Sequence, residues 1–438
     1  MASRPPPGVF PKVLFVSGLQ IHPTLSGGNL RSYALAGSLQ RQGLDVFVYS
    51  LVGRKKDYLG GRPSAVQVWP GGIPEYVDRG LLGFGAQFGS YRVGLPPLWL
   101  TAWLRAAARS PGEVLLPPRL RERLAWCDAV VADFPFVHPV FSAPSAEGAL
   151  RILSTHNLEH QLFDDQARWK NRRLRPIVRA VELEGAAACD VLVSCCAGDK
   201  QFFEANADVR RSILVPNGID VRRFRGIEKE RIPVRRALGL ADDVKVFLFT
   251  ASKYGPNREA VDYLAAFARA HAGWLESERI HILVVGNVVA APVRRPGFTA
   301  TGKVEVVEPY FAAADAALNP MATGAGTNVK MCEFIARRLP IVSTPFGTRG
   351  FTLEDGESVF LFGPDALAPV LARVRRLFDE DPGRLRQMAE AAFARNQRAI
   401  DMDTCAQRLV TAIAGTPRRR RTLGRAPRLE ARSPSESV

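Results

Sequence analysis

A strand, a helix and a second strand follow one another near the amino terminus: KVLFVS (12–17), the amphipathic stretch NLRSYALAGSLQRQ with Gly43 as its stop, and LDVFVYS (44–50). This unit constrains the fold more than any other feature. Two apolar runs joined through a helix make a parallel crossover, because parallel strands cannot be joined by a tight turn. The pattern continues with strands in DAVVAD (128–133), RILSTHN (151–157), DVLVSC (190–195) and SILVPN (212–217), and a basic helical stretch precedes Asp190. It breaks at NGIDVRRF (217–224) and then restarts. VKVFLFTA (244–251) reads as a strand, NREAVDYLAAFARAHAG as a helix, IHILVVGN (280–287) as a strand and KVEVVE (303–308) as a further short strand. AALNP and PIVSTP flank one more short helix, and two amphipathic helices follow. The expected fold is α/β, in two halves, each a largely parallel sheet covered by helices. A chain of 438 residues suits two domains of roughly 200 residues each. Ligands of such sheets bind beyond the carboxyl ends of the strands, so the loops there carry the chemistry.

Composition narrows the class. With 47% hydrophobic and 23% charged residues the chain reads as a soluble globular protein. No run approaches the roughly 20 apolar residues of a membrane helix. The short apolar run in MASRPPPGVFPKVLFVSG reads as the first strand rather than a signal peptide, so a cytoplasmic location is expected. Cys127, Cys189, Cys195, Cys196, Cys332 and Cys405 show no CxxC spacing and read as reduced thiols, not a zinc site or disulfide frame. The net charge of +16 suits anionic partners: nucleotide phosphates, an acidic lipid surface or nucleic acid. Part of it lies in the tail TPRRRRTLGRAPRLEARSPSESV, either a solvated basic segment or a weak peripheral attachment to an anionic membrane surface. SYRVGLPPLWLTAWLRAAARS (90–110) sets Trp99, Trp103 and Leu104 among arginines, as a membrane-lying helix, an acceptor lid or buried core.

The stretch GAGTNVKMCEF (324–334) is the most informative. Its glycines let backbone amides approach a ligand, and a helix from about Thr327 would offer unpaired N–H groups and a positive dipole end to a phosphate. Lys330 in the first turn leans toward the same anion, and Glu333 shares its face, suited to accept from a ribose diol. The alternative is an exposed Lys–Glu pair at i, i+3. GFTATGKV (297–304) fits the first seven positions of a P-loop, but Val304 replaces the Ser or Thr that holds magnesium, and a strand-like segment follows where a helix is required. Gly27–Gly28 precedes the first helix without a GxGxxG fingerprint, either a simple turn or a close backbone approach.

Three pieces together, SGGNLRSYALAGSLQRQGLDVFVYS, PNGIDVRRF and GAGTNVKMCEFIARRLPIVSTPFGTRGF, resemble the family-4 retaining glycosyltransferases (glycosyl transferases group 1) of the GT-B fold. The resemblance spans about residues 12–414, and MDTCAQRLVTAIAG is similar to the family's last helix, which crosses back to the first domain. It implies two Rossmann-like domains facing a central cleft: an acceptor domain over 1–220, a donor domain over 221–400, a crossover helix over 401–414 and a basic disordered tail over 415–438. It implies transfer of a sugar from a nucleotide-sugar donor to a glycan, lipid-linked or small-molecule acceptor, with retention and without a metal or other cofactor. Glu333 would hold the ribose, Gly326, Thr327, Asn328 and Lys330 the diphosphate, Gly27 and Gly28 would approach from across the cleft, and Asn287 would contact the base.

Departures from the family pattern matter as well. Ala325 stands where many members have a first acid seven residues before Glu333. The usual glycine–arginine step is replaced by Ala251–Ser252–Lys253, which makes Lys253 the phosphate-clamp candidate. Asp133 occupies the place of a frequent histidine, so an acceptor-side catalytic role falls to Asp133, His138 or His156. A nucleotide-sugar epimerase, a non-catalytic GT-B sugar-nucleotide-binding protein and sequence-independent nucleic-acid binding through the tail are the competing readings; no specific nucleic-acid partner is expected.

Overall fold

The computed structural model describes residues 11–24, 27–85, 97–163, 172–324, 328–363 and 365–415. The expected positions Ala325, Gly326 and Thr327 and the basic tail beyond Gly415 lie outside the described residues. Two sheets organise the rest. The first contains β1 (Lys12–Ser17), β2 (Asp45–Ser50), β3 (Ala65–Val68), β4 (Pro74–Val77), β5 (Ala129–Asp133), β6 (Leu150–Ser154), β7 (Val191–Ser194) and β8 (Ser212–Leu214), in the order β3-β4-β2-β1-β5-β6-β7-β8. The second contains β9 (Lys245–Thr250), β10 (Ile280–Val285), β11 (Val293–Arg295), β12 (Phe298–Ala300), β13 (Ala316–Asn319), β14 (Ile341–Ser343) and β15 (Phe360–Leu361), in the order β11-β12-β10-β9-β13-β14-β15. Only the edge pairs β3–β4 and β11–β12 are antiparallel among the described strand pairs.

The continuous apolar runs of the central strands follow from burial on both faces. In β1, Leu14 and Val16 enter one cluster while Val13 and Phe15 enter the other. In β9, Phe247 and Phe249 take one face and Val246 and Leu248 the opposite one. Chain order reverses between β1 and β5 in the first sheet and between β9 and β13 in the second, so each sheet has its topological switch point there. The carboxyl ends at those points, Ser17 with Asp133 and Thr250 with Asn319, are where loops part and leave a crevice.

The helices that frame the crevice are α1 (Gly27–Arg41), α2 (Leu98–Ala108), α3 (Arg175–Ala188), α4 (Ala197–Asn206), α5 (Gly255–Ala270), α6 (Glu308–Ala313), α7 (Val329–Ala336), α8 (Leu367–Glu380), α9 (Pro382–Ile400) and α10 (Met402–Ala414). α10 leaves the second sheet's side and packs on the first: Met402, Ala406, Leu409 and Ile413 share a cluster with Val13, Phe15 and Leu35. That spacing of three and four residues makes one apolar stripe. Polar contacts tie the same joint, with Ser38 Oγ donating to the Met402 carbonyl at 3.2 Å and Arg41 paired with Asp403 at 2.6 Å.

One expectation is corrected. Lys303–Val307 is not a strand: Val304 and Val307 turn inward against the core, Val306 is exposed, and α6 begins at Glu308 with a proline in its first turn. Inward residues three apart fit a turn better than the period of two that a strand requires. Of the three readings of the stretch around α2, the packing fits buried core. Leu104 is fully buried, and Trp99 and Trp103 pack against the first-domain core. Residues 90–96 of that stretch lie outside the described residues. Among the described residues no helix is long and apolar enough to cross a membrane.

Candidate functional site

The two switch points open into one cleft of about 1350 Å³, lined from the first sheet by Gly27, Gly28, Phe134 and His156 and from the second by Lys253, Asn287, Asn328, Lys330 and Glu333. Sequence reasoning named eight of these nine residues, scattered over three hundred positions, and the fold brings them together. α1 and α7 meet across the cleft at their amino ends. A Cβ built on Gly27 would stand 3.8 Å from Val329 Cγ2. The positive dipole ends of both helices thus border the cleft, an environment that favours an anion.

On the second-sheet side, Asn328 sits in extended backbone ahead of α7, and its side chain makes no capping bond. Lys330 is drawn back along the helix toward the cleft. Its Nζ donates to Asn257 Oδ1 at 2.8 Å and lies 4.0 Å from the Phe249 ring centre. Burial pulls the Lys330 pKa down to about 7, with Glu333 opposing the shift, so at neutral pH the site lacks a full compensating charge. An anionic ligand would supply that charge. Lys253 is exposed at the cleft wall, and its backbone N–H donates to Asn287 Oδ1 at 2.8 Å. Asn287 therefore fixes the loop after β9. Gly286, at φ +129°, makes this possible: a Cβ there would fall 2.3 Å from the Ala251 carbonyl oxygen. Glu333 is buried, with Oε1 3.0 Å from Arg223 Nη1 and Oε2 3.5 Å from the Thr250 hydroxyl.

The first-sheet side is built differently. His156 follows β6, is buried, and stacks on Phe134 at 3.9 Å between ring centres. Its Nε2 lies 2.8 Å from Asp133 Oδ1, while Asp133 Oδ2 accepts from Ser32 Oγ at 2.7 Å. A carboxylate on Nε2 places the proton there, so the neutral ring keeps a lone pair on Nδ1. That Nδ1 is buried without a hydrogen-bond partner among the described residues, and a Cβ on Gly28 would lie 3.4 Å from it. Glycine at 28 thus leaves the nitrogen approachable. Asp133 does not line the cleft; it orients His156 from behind.

His138 does not line the cleft either. Its Nδ1 is 2.8 Å from the Pro135 carbonyl oxygen and its Nε2 is 3.6 Å from Glu184, against α3, and burial lowers its pKa. The short helical turn Pro135–Ser142 carries it away from the end of β5. Five residues after a strand end is therefore too far along this turn for a cleft position.

Several contributors had no legible signal. Arg31 of α1 donates to the Val215 and Pro216 carbonyls and to Asn217 Oδ1, so one guanidinium holds the PNGID turn. Glu75 in β4 is buried and accepts from Ile21 N, His22 N, Ser50 Oγ, Gln67 Nε2 and Trp69 Nε1, which fixes the loop after β1 at the cleft edge. Arg349, on the Phe346 ring at 3.7 Å, adds a further cation to the lining and donates to the Gly324 carbonyl at 3.0 Å. Among the described residues one group has metal-donor geometry, Cys195, Cys196 and Asp199 at the start of α4, and it is not part of the cleft lining.

Two parallel α/β domains with paired switch points across a cleft, closed by a returning carboxyl-terminal helix, define the GT-B fold. Residues 244–380 match the model of the family Glycosyl transferases group 1, and fold and match together define the class as that of GT-B glycosyltransferases. Among solved structures, the sucrose-phosphate synthase from Thermosynechococcus elongatus is similar over 92% of this chain and 98% of its own, at 16% identity and TM-score 0.62. The Anabaena protein HepE, solved with UDP and glucose, gives 14% identity and TM-score 0.60 over 92% of this chain and 99% of its own. The catalytic domain of starch synthase IV from Arabidopsis thaliana, bound to ADP and acarbose, gives 13% and 0.60 over 93% and 100%. No curated protein sequence matches the chain.

Proposed function

We propose that this chain transfers a glycosyl unit from a nucleoside-diphosphate sugar to a glycan, lipid-linked or small-molecule acceptor, with retention and without a metal. The observation that carries the reading is the pairing of two open helix amino ends with Lys330, Lys253 and Arg349 around one cleft. Fixed amides and cations aimed at a diphosphate stabilise the charge that develops as it leaves. HepE was solved with UDP-glucose and starch synthase IV with ADP, which supports a nucleoside diphosphate as the group held there. In this reading Glu333 accepts the ribose hydroxyls, and His156 Nδ1 accepts from a hydroxyl of the acceptor or of the transferred sugar. Asp133 sets the His156 tautomer. Peripheral attachment to an anionic surface is assigned to the basic tail rather than to α2.

Incubation with UDP-, ADP- and GDP-sugars tests the reading. Release of nucleoside diphosphate that rises when acceptor is added is the expected result. Binding of a nucleotide sugar without release under any acceptor would leave a binding protein instead. Conversion of the bound sugar to its epimer would assign the epimerase chemistry. Flotation with anionic vesicles, lost on truncation after Gly415, is the expected outcome for the tail.

A further inference from the structure

Arg223 lies in the short helical turn Val221–Phe224 of the linker, and its side chain reaches the cleft from behind the donor half. Nε and Nη2 donate to Glu308 Oε1 at 2.7 and 2.6 Å, and Nη1 donates to Glu333 Oε1 at 3.0 Å. One guanidinium therefore holds two carboxylates, from the first residue of α6 and from the middle of α7. Burial raises the Glu333 pKa, Glu308 raises it further, and Arg223 is the main opposing influence. An ion triad desolvated to this degree, with Glu333 buried and Arg223 and Glu308 partly buried, is a poor source of stability, since the desolvation cost offsets much of the attraction. Its placement at a ligand cleft calls for a different use.

We propose that Arg223 is a positioning residue for donor binding, fixing Glu333 Oε1 so that Oε2 is presented, ionised, to the ribose diol. Oε2 has the Thr250 hydroxyl at 3.5 Å as its recorded neighbour, and Thr250 and Glu333 both line the cleft. The inference rests on Glu333 as the ribose ligand, read above. It adds a mechanical consequence, because the linker turn is tied to the first domain. Asp220 pairs with Arg41 of α1 at 3.3 Å, Arg222 pairs with Asp403 of α10 at 3.3 Å, and Asn217 is held by Arg31. A shift of the first domain against the second is thus transmitted to the carboxylate that grips the nucleoside.

Titration calorimetry with UDP, ADP and GDP selects the tightest diphosphate, which is then compared with its 2′,3′-dideoxy analogue. In the unaltered protein the diol is expected to contribute about 30-fold in affinity, as hydrogen bonds to an ionised carboxylate do. Glu333→Gln should reduce that preference to a few-fold. Arg223→Gln should reduce it by about tenfold while the dideoxy affinity stays within about threefold. Arg223→Lys should restore part of it, and in Arg223→Gln the preference should recover as pH rises and Glu333 ionises. Should Arg223→Gln not fold, Arg223→Lys and Glu308→Gln carry the test, each with an intermediate preference expected. An unchanged preference in the Arg223 and Glu308 variants, with Glu333→Gln losing it, overturns the positioning role and leaves the ribose reading standing. An unchanged preference in Glu333→Gln overturns both. Absence of binding by all three diphosphates overturns the functional reading itself.

Discussion

The two halves of the cleft start from one architecture and diverge in where they keep charge. α1 and α7 both follow switch-point strands, yet α1 has Gly27, Gly28, Asn29 and Leu30 in its first turn, while the first turn of α7 carries Lys330. In the first half the carboxylates Asp133 and Glu75 are buried behind the cleft surface and hold other groups in place. In the second half Lys330, Lys253, Arg349 and Glu333 reach the cleft lining. Under the proposed function the difference matches two tasks. A multiply charged diphosphate calls for cations, whereas an acceptor hydroxyl calls for an oriented hydrogen-bond acceptor.

Removing the charge from one half should therefore hurt differently from disorienting the other. The largest effect is expected for Lys330→Met, with kcat/KM for transfer lower by roughly 10³, the scale of losing one preorganised electrostatic group. The same variant should be more stable by about 1–2 kcal/mol at neutral pH, read from denaturant midpoints, because it removes a desolvated ammonium. A loss of stability instead would break the view of Lys330 as a charge held ready for a ligand. Next, Asp133→Asn should lower kcat by about 10²–10³ through the wrong His156 tautomer. Diphosphate affinity should be unchanged, and a parallel loss of affinity would erase the division between the halves.

The pH dependence comes third. Lys330 titrates at about 7 in the free protein, and a bound diphosphate favours its protonated form. Affinity should be flat below that pH and fall above it, by at most about tenfold per unit, with proton uptake on binding in calorimetry. The lowered pKa also means that the unfolded chain holds more protons between about 7 and the ordinary lysine value. This group's contribution to stability therefore rises with pH across that window. The smallest effect is expected for His138→Gln. Its ring is hydrogen-bonded behind the cleft, so kcat should stay within about twofold while stability drops by about 1 kcal/mol.

Much of the donor half was legible because one local segment carries it. GAGTNVKMCEF places Lys330 and Glu333 on one helical face by spacing alone, and β13 and β14 on either side are buried runs that read clearly. The acceptor half was less legible because its relay is assembled from three elements. Ser32 on α1, Asp133 ending β5 and His156 after β6 meet only because β5 and β6 are neighbours and α1 covers their ends. In one dimension Asp133, His138 and His156 were all candidates, with His156 beside Asn157 the preferred one. Register separates them: it pairs Asp133 with Ser154 and brings His156 to Asp133, while the turn after Phe134 takes His138 toward Glu184.

By itself, the sequence determined the class of fold, its division into two α/β halves and the helix that sets Lys330 and Glu333 on one face. Those follow from the apolar period and from glycine and charge spacing within single elements, which are local properties of a chain. Tertiary structure alone decided that Glu333 is shared with Arg223, that His156 takes the cleft position with Asp133 behind it, and that Val304 and Val307 turn inward. Each of these depends on which side chains from distant segments compete for one buried polar group or one gap in the core, and such competition has no period along the chain.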